Sequence, residues 1–315
     1  MINALLATIV PTFGIIGIGW LARRVGIWDK TSVKVLNNYA YYIALPALMF
    51  QSIVRGGLRN YFSATDIKFI LGVVLAHVIV FALALLFNFF KRIPKEIRAT
   101  ASMLTVLGNT AYLGIPFATY AFGEKGTVYA SLLSVILLTI FIFASIAVLN
   151  RFGKPEGDES ALKKILQLPF LWAVLLGLLW PLFQLPSLPL FITRFIEILA
   201  QGAGPTALLG LGTFLYDLEV RGIPWAKASL FGGMKVVAPT LFAFFVLRAL
   251  DVTGMILAIG VAVSGTSTAV TTFVLATQYR IGERLTAGTI LVSTFFSLIV
   301  LSLVSYLWIG TTIFQ

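Results

Sequence analysis

Apolar residues in this chain run in long blocks, each closed by a short polar or basic cluster. The blocks are long enough for an α-helix to cross ~30 Å of hydrocarbon, which takes about 20 residues. Ten are legible, at 2–21, 34–54, 67–90, 99–122, 127–150, 162–182, 191–216, 225–250, 253–279 and 285–311. They predict an all-α integral membrane protein with ten transmembrane helices. The sixth block ends in proline-rich sequence between Pro181 and Pro189, and RFGKPEGDESALKK at 151–164 is the one plainly hydrophilic linker. The first block has no basic region before it and no small-residue cleavage site, and Arg23 and Arg24 follow it. It reads as a retained span rather than a signal peptide.

Five blocks on each side of the linker predict two related halves, 1–150 and 165–315, joined by a cytoplasmic 151–164. Phe122-Gly123-Glu124-Lys125 and Ile281-Gly282-Glu283-Arg284 match at an offset of 159, as do Asn109 with Thr268 and Pro46 with Pro205. His77 falls opposite Lys235 at nearly the same offset. An odd number of spans separates corresponding elements, so the second half is expected to be inverted in the membrane. The loops after the first, third, fifth, seventh and ninth blocks hold sixteen Lys and Arg, and the opposite loops hold six. The richer side is the cytoplasmic one by the positive-inside rule, which places both termini outside the cytoplasm of a cell (inner) membrane protein.

Composition narrows the class further. With 59% hydrophobic and 11% charged residues and a mean hydropathy of +0.98, the chain cannot cover a water-exposed surface, and lipid must be its main solvent. The net charge of +11 comes in short groups between blocks, a topology signal rather than a nucleic-acid surface. There is no cysteine and one histidine, so neither a thiolate nor a histidine-rich metal site is expected, and no cofactor.

The candidate chemistry lies at two irregular segments. In the fourth block, Gly108, Asn109, Thr110, Gly114 and Pro116 stand within nine residues. A proline has no amide for the carbonyl four residues back, so this stretch predicts an interruption at membrane depth. Freed backbone there must line a cavity or be buried in protein. The plainer alternative for an isolated proline is a packed kink. Against that stand the polar pair Asn109-Thr110 and, in the matching part of the ninth block, the hydroxyl cluster from Ser264 to Thr272, with Ser264, Gly265, Thr266, Ser267 and Thr268 as its candidate binding residues. Paired interruptions in corresponding positions of two halves point to a transport site, and helix N-termini at such a crossing favour an anion. Lys235 is the one Lys or Arg deep in a block. It reads either as a counter-charge or coupling group, or as a structural lysine bonding broken-helix carbonyls. His77 could relay protons or simply bond a neighbouring helix. Pro46 and Pro205 are candidates for a wall facing the site, while Gly202, Gly204, Gly210 and Gly212 suit close helix packing. Asn37 and Asn38 could reach the site, with helix capping the duller explanation. Glu197, Asp217 and Glu219 fall near span ends and are expected in water.

Gly265-Thr266-Ser267-Thr268-Ala269 is one residue from a nucleophile-elbow pattern, but it has no strand before it and no histidine beside it. No catalytic residue is assigned. A membrane-embedded enzyme would need a second histidine or a carboxylate pair, and a sensor would need a signalling domain.

Four segments resemble the bacterial auxin efflux carrier-like proteins, which include malonate-transporter-like members: YYIALPALMFQSI at 41–53, GNTAYLGIPFATYAFG at 108–123, GAGPTALLGLGTFL at 202–215 and STAVTTFVLATQY at 267–279. The resemblance covers essentially the whole chain. It implies a ten-helix inverted repeat like those of sodium/proton antiporters and bile-acid symporters. Helices 1, 2, 6 and 7 would form a scaffold, usually homodimeric, and helices 3–5 and 8–10 a mobile transport domain whose helices 4 and 9 cross unwound. Asn109, Gly114 and Pro116 match the family's first crossing motif. The second departs from it, since many members have a proline where Ser267 stands, and a softer break held by glycine and hydroxyls is expected. The resemblance implies a carboxylated organic anion as substrate. The expected function is elevator-type secondary transport, with export favoured over proton- or sodium-coupled uptake. No Asp or Glu lies deep in a block to help dehydrate sodium.

Overall fold

The computed structural model describes residues 2–56, 63–90, 92–153 and 166–310. All but the first three residues of the predicted 151–164 linker lie outside the described residues, as do Arg59, Lys91, Lys154, Lys163 and Lys164 of the charge count. The described chain is helical throughout, with no strand among the described residues and one isolated backbone bridge. The helices are α1 (Ile2–Arg24), α2 (Lys30–Tyr39), α3 (Leu45–Gly56), α4 (Ala64–Leu85), α5 (Lys95–Val106), α6 (Ile115–Leu149), α7 (Pro169–Leu182), α8 (Leu190–Gln201), α9 (Ala203–Asp217), α10 (Trp225–Ala249), α11 (Gly254–Ser264), α12 (Val270–Gln278) and α13 (Glu283–Gly310). Six helical segments among the described residues are long and apolar enough to cross a bilayer, and α7 and α11 are shorter apolar helices.

Predicted blocks that fall short as single helices do so for local reasons. The second is divided by a π-helical turn over Ala40–Ala44, where the Leu45 amide reaches back to the Ala40 carbonyl. The fourth contains a matching turn over Thr110–Gly114, with the Ile115 amide on Thr110. Each turn stands just before a proline, Pro46 or Pro116. The missing proline amide leaves an acceptor free one turn back, and a widened turn is how a helix absorbs that. In the seventh block α8 and α9 meet at Gly202, three residues before Pro205.

Helices pack in two sets. α1 runs along α9, and α3 along α7 and α8; α10 runs along α13, α4 and α5, while α11 lies against α6 and α10. The sets meet where α3 and α9 touch α6 and its leading turn and where α1 touches α13. Close approach of α1 and α9 rests on small residues. A methyl at Gly19 would run into the backbone of Leu209, and one at Gly212 into that of Ile16, so packing is the role of the predicted Gly212. At one end of this pair Arg23 forms an ion pair with Asp217 at 2.9 Å. Asp217 is thus paired rather than simply solvated, and so is Glu197, which lies 3.5 Å from Arg55.

Gly123 and Gly282, 159 residues apart, both have left-handed backbone, with φ of 64° and 70°. Each starts a helical stretch at the following glutamate, and glycine is the residue that takes that conformation without steric cost.

Candidate functional site

Two chain breaks meet at the middle of the helix packing. The first runs from Leu107, extended after the end of α5, to the π turn at Thr110. The second runs from Gly265, at the end of α11, to Ala269, which is extended before α12. They pair antiparallel through Gly108 and Thr268. Asn109 N donates to the Ser267 carbonyl at 2.7 Å, Ala269 N to the Leu107 carbonyl at 2.8 Å, and the Thr268 hydroxyl to the Leu104 carbonyl at 3.2 Å. Each interruption therefore accepts donors from the other, which is how backbone outside a helix avoids orphaned groups at membrane depth.

Lys235 completes the second break. It is fully buried, and its Nζ donates to the carbonyls of Thr266 at 2.8 Å and Ser264 at 3.2 Å. Of the two readings offered by its position in the sequence, bonding of broken-helix carbonyls is the one its contacts match. Ser293 of α13 adds a further partner, accepting from Thr268 N at 2.9 Å. Gly108 permits the approach. A methyl there would sit 2.9 Å from Thr266 Oγ1 and 3.3 Å from Lys235 Nζ.

A cavity of about 430 Å³ lies against the crossing. Gly108, Asn109 and Thr110 line it from the first break, and Ala269, Val270 and Thr271 from the start of α12. The facing wall comes from Asn37 and Tyr41 of α2 and its π turn and from Gly210 of α9. Tyr112 joins the two sides, its hydroxyl donating to the Asn37 carbonyl at 3.3 Å. Asn109 is 4% exposed, and its Nδ2 is buried with no partner, a donor left for something in the cavity.

The predicted residues divide by position. Ser264, Thr266, Ser267 and Thr268 are fully buried and do not line the cavity. The hydroxyls of Ser264 and Thr266 donate to the carbonyls of Gly260 and Val263, and the Ser267 hydroxyl has no partner. Gly265 packs against Thr240. Gly114 and Pro116 shape the turn behind Asn109 and are likewise off the cavity wall. His77 is buried on α4, with Nδ1 2.9 Å from the Val73 carbonyl of its own helix and Nε2 unpartnered. Pro46 sits outside the cavity, and Pro205 lines a different one beside Pro116. Sequence reasoning did not single out Tyr41 or Tyr112, and it placed Thr271 in the hydroxyl cluster without naming it among the binding residues. It ranked capping above a site role for Asn37, but Asp29 is the residue that caps α2, accepting from Ser32 N at 2.7 Å. The signal available was spacing, because Asn37 and Tyr41 are one helical turn apart.

Comparison with known proteins adds a separate line. Residues 4–305 match the model of a family described as membrane transport protein. An uncharacterized transporter of Methanocaldococcus jannaschii is 29% identical over 296 residues, covering 91% of this chain and 93% of that protein. A putative malonate transporter of Rhizobium meliloti is 26% identical over 306 residues, 95% of this chain and 94% of the relative. An uncharacterized transporter of Methanothermobacter thermautotrophicus is 24% identical over 297 residues, 94% and 96% of the two chains.

Proposed function

The chain belongs to the membrane transport protein family and is a membrane transporter, not an enzyme, and from that premise we propose that it exports a small organic anion by elevator-type alternating access. The observation that carries the reading is the cavity at the crossing. Two helix starts, Asn109–Tyr112 and Ala269–Thr271, face one space beside the unpartnered Asn109 amide. First-turn amides lack intrahelical acceptors and together amount to about half a positive charge, so two starts facing one cavity favour an anion. Lys235, behind Gly108, has the same sign.

The fold side of the proposal is ten spanning helices in two inverted five-helix repeats, 1–150 and 165–315. Its support is the 159-residue offset shared by Gly123 and Gly282, and the offset between Asn109 and Thr268 at the crossing. The set containing α1, α2–α3, α7 and α8–α9 would be the scaffold, homodimeric as in the resembling family. The set containing α4, α5–α6, α10, α11–α12 and α13 would move as the transport domain. Asn37 and Tyr41 lie in the first half of the α2–α3 span and Phe214 in the second half of α9, the ends nearer Arg23, Arg24 and Arg221, and under the positive-inside rule that side would be the cytoplasmic one. Binding would fall to Asn109, Thr110 and the amides of Val270 and Thr271. Gly108, Gly114, Pro116 and the Ser264–Thr268 segment would form the crossing, with Lys235 holding it open.

A carboxylate fits these donors, and the relative named as a putative malonate transporter makes a dicarboxylate the first to try. Lys235 takes the two freed carbonyls that a dehydrated sodium ion would need, which weighs against sodium-coupled uptake. Proteoliposomes given labelled malonate and a panel of monocarboxylates, with and without a pH gradient, test the reading. Wild-type flux is expected, with a loss of about tenfold or more in Asn109→Ala, the scale of one lost hydrogen bond to a charged group. Acceleration by the gradient would bring in His77. Absence of flux and of binding across the panel would sink the organic-anion reading.

A further inference from the structure

A second cavity, of about 250 Å³, lies at the other end of the same seam between the two helix sets. Three of the segments that line the first cavity continue into it. Asn37 and Tyr41 give way to Gln51 and Arg55 on α3, Asn109 and Tyr112 to Pro116 and Thr119, and Gly210 to Gly204 and Pro205 on α9. Between the cavities the same segments carry Ala44 and Leu45, Leu113 and Ile115, and Ala207 and Leu208, all of them fully buried. The seven residues from Tyr41 to Leu48 correspond to ~10 Å of helix, so a plug two helical turns thick separates the two spaces.

This second space has a chemistry of its own. Gln51 and Arg55 are one helical turn apart on α3 and both line it, so they present donors on one face. Gln51 Nε2 is buried without a partner. Arg55 has five N–H donors, and its one ion pair among the described residues, to Glu197 on the cavity wall, is long at 3.5 Å, with the arginine side chain 44% exposed. A bidentate carboxylate would satisfy the guanidinium better than this single contact does.

We propose that the second cavity is a carboxylate-accepting subsite in which Arg55 and Gln51 bind the anion and Glu197 competes for Arg55 until the anion displaces it. Its place as the second station of a transport path rests on the function proposed above. The subsite itself rests on the cavity and its donors. An ion pair that merely holds α3 to α8 would lose the same thing when either partner was removed. A competing carboxylate makes the two removals act in opposite directions.

The chain has no cysteine, so one introduced thiol reports without background. Gln201→Cys places it in this cavity in the full-length protein reconstituted in liposomes. Its reaction rates with an anionic and a cationic methanethiosulfonate give a ratio that senses local charge without requiring transport. Arg55→Gln is expected to slow the anionic reagent and speed the cationic one by about fivefold each, the scale of one charge about 4 Å away in water, and so to lower the ratio by roughly thirtyfold. Glu197→Gln should raise it, as loss of any lining carboxylate would, and Arg55→Lys should keep it near wild type; the subsite itself is read by malonate, which should slow labelling only when residue 55 is basic and at lower concentration in Glu197→Gln than in wild type. The proposal is overturned if malonate gives no protection, if protection survives Arg55→Gln, if Glu197→Gln weakens protection as Arg55→Gln does, or if neither reagent reaches the thiol. The two readings fail separately. Missing anion flux with this pattern intact removes the path and leaves the subsite, whereas normal flux without the pattern removes the subsite alone.

Discussion

The two breaks occupy corresponding places in the sequence and touch each other, yet they are held open by different means. The first is built by a proline. Pro116 removes an amide, the π turn at Thr110–Gly114 absorbs the loss, and the Asn109 carbonyl accepts from both Leu113 and Gly114. The second has Ser267 at the position matching Gly108 and no proline, and it is nevertheless a full interruption from Gly265 to Ala269. What replaces the proline is a donor from a different helix. Lys235 fills two freed carbonyls, and Ser293 takes an amide. The counterpart of Lys235 in the first half, His77, bonds only its own helix at Val73. A break can be enforced locally, by removing a donor, or from outside, by supplying one. The sequence offered Lys235 as a lysine bonding broken-helix carbonyls but expected the second break to be held by its own glycine and hydroxyls; it did not join the two, because the supplier lies 29 residues from the nearer carbonyl's residue.

Substitutions can take this asymmetry apart. The largest effect is expected for Lys235→Met, which strands the Ser264 and Thr266 carbonyls in the interior. Two buried acceptors without partners should cost roughly 3 kcal/mol, visible as a fall in thermal unfolding temperature in detergent, while His77→Phe should cost far less. Equal losses would mean that the two halves use their buried basic groups alike. Next is Asn109→Ala, whose effect should appear in flux and hardly at all in stability, since its Nδ2 has no partner to lose. A large stability loss would make Asn109 a structural element of the first break. Thr268→Val removes the hydroxyl bond to the Leu104 carbonyl and should cost about 1 kcal/mol by the same thermal measurement. Smallest is Ser267→Ala. Its hydroxyl is buried and unpartnered, so unfolding should move by no more than about 0.5 kcal/mol and flux should hold. Loss of flux there would return the hydroxyl cluster to the binding site.

The helical blocks were legible because hydrocarbon imposes length and apolarity on each segment independently of its neighbours. The first break could be read as well, since a proline acts within one turn of itself. Asn109 stood out as a polar side chain at such a break, and it lines the cavity. The cluster from Ser264 to Thr268 also stood out, but composition does not say which way a hydroxyl points. The hydroxyls of Ser264 and Thr266 turn to backbone carbonyls within α11. Tyr41 and Tyr112 were not distinguishable from other aromatics in apolar blocks, and Asn37 gained its place only because α9 brings Gly210 against it.

By itself, then, the amino-acid order determined a helical membrane protein, the position of the proline-driven turns and the family to which the chain belongs. These follow from local rules of length, periodicity and missing amides. Only the tertiary structure decided that Lys235 satisfies the second break, that Asn109 keeps a free donor in the cavity, and that Arg55 and Glu197 meet on the wall of a second one. Those outcomes depend on which helix faces lie together, and a solvent that rewards every apolar face alike leaves that choice to packing and to buried polar groups that must find partners.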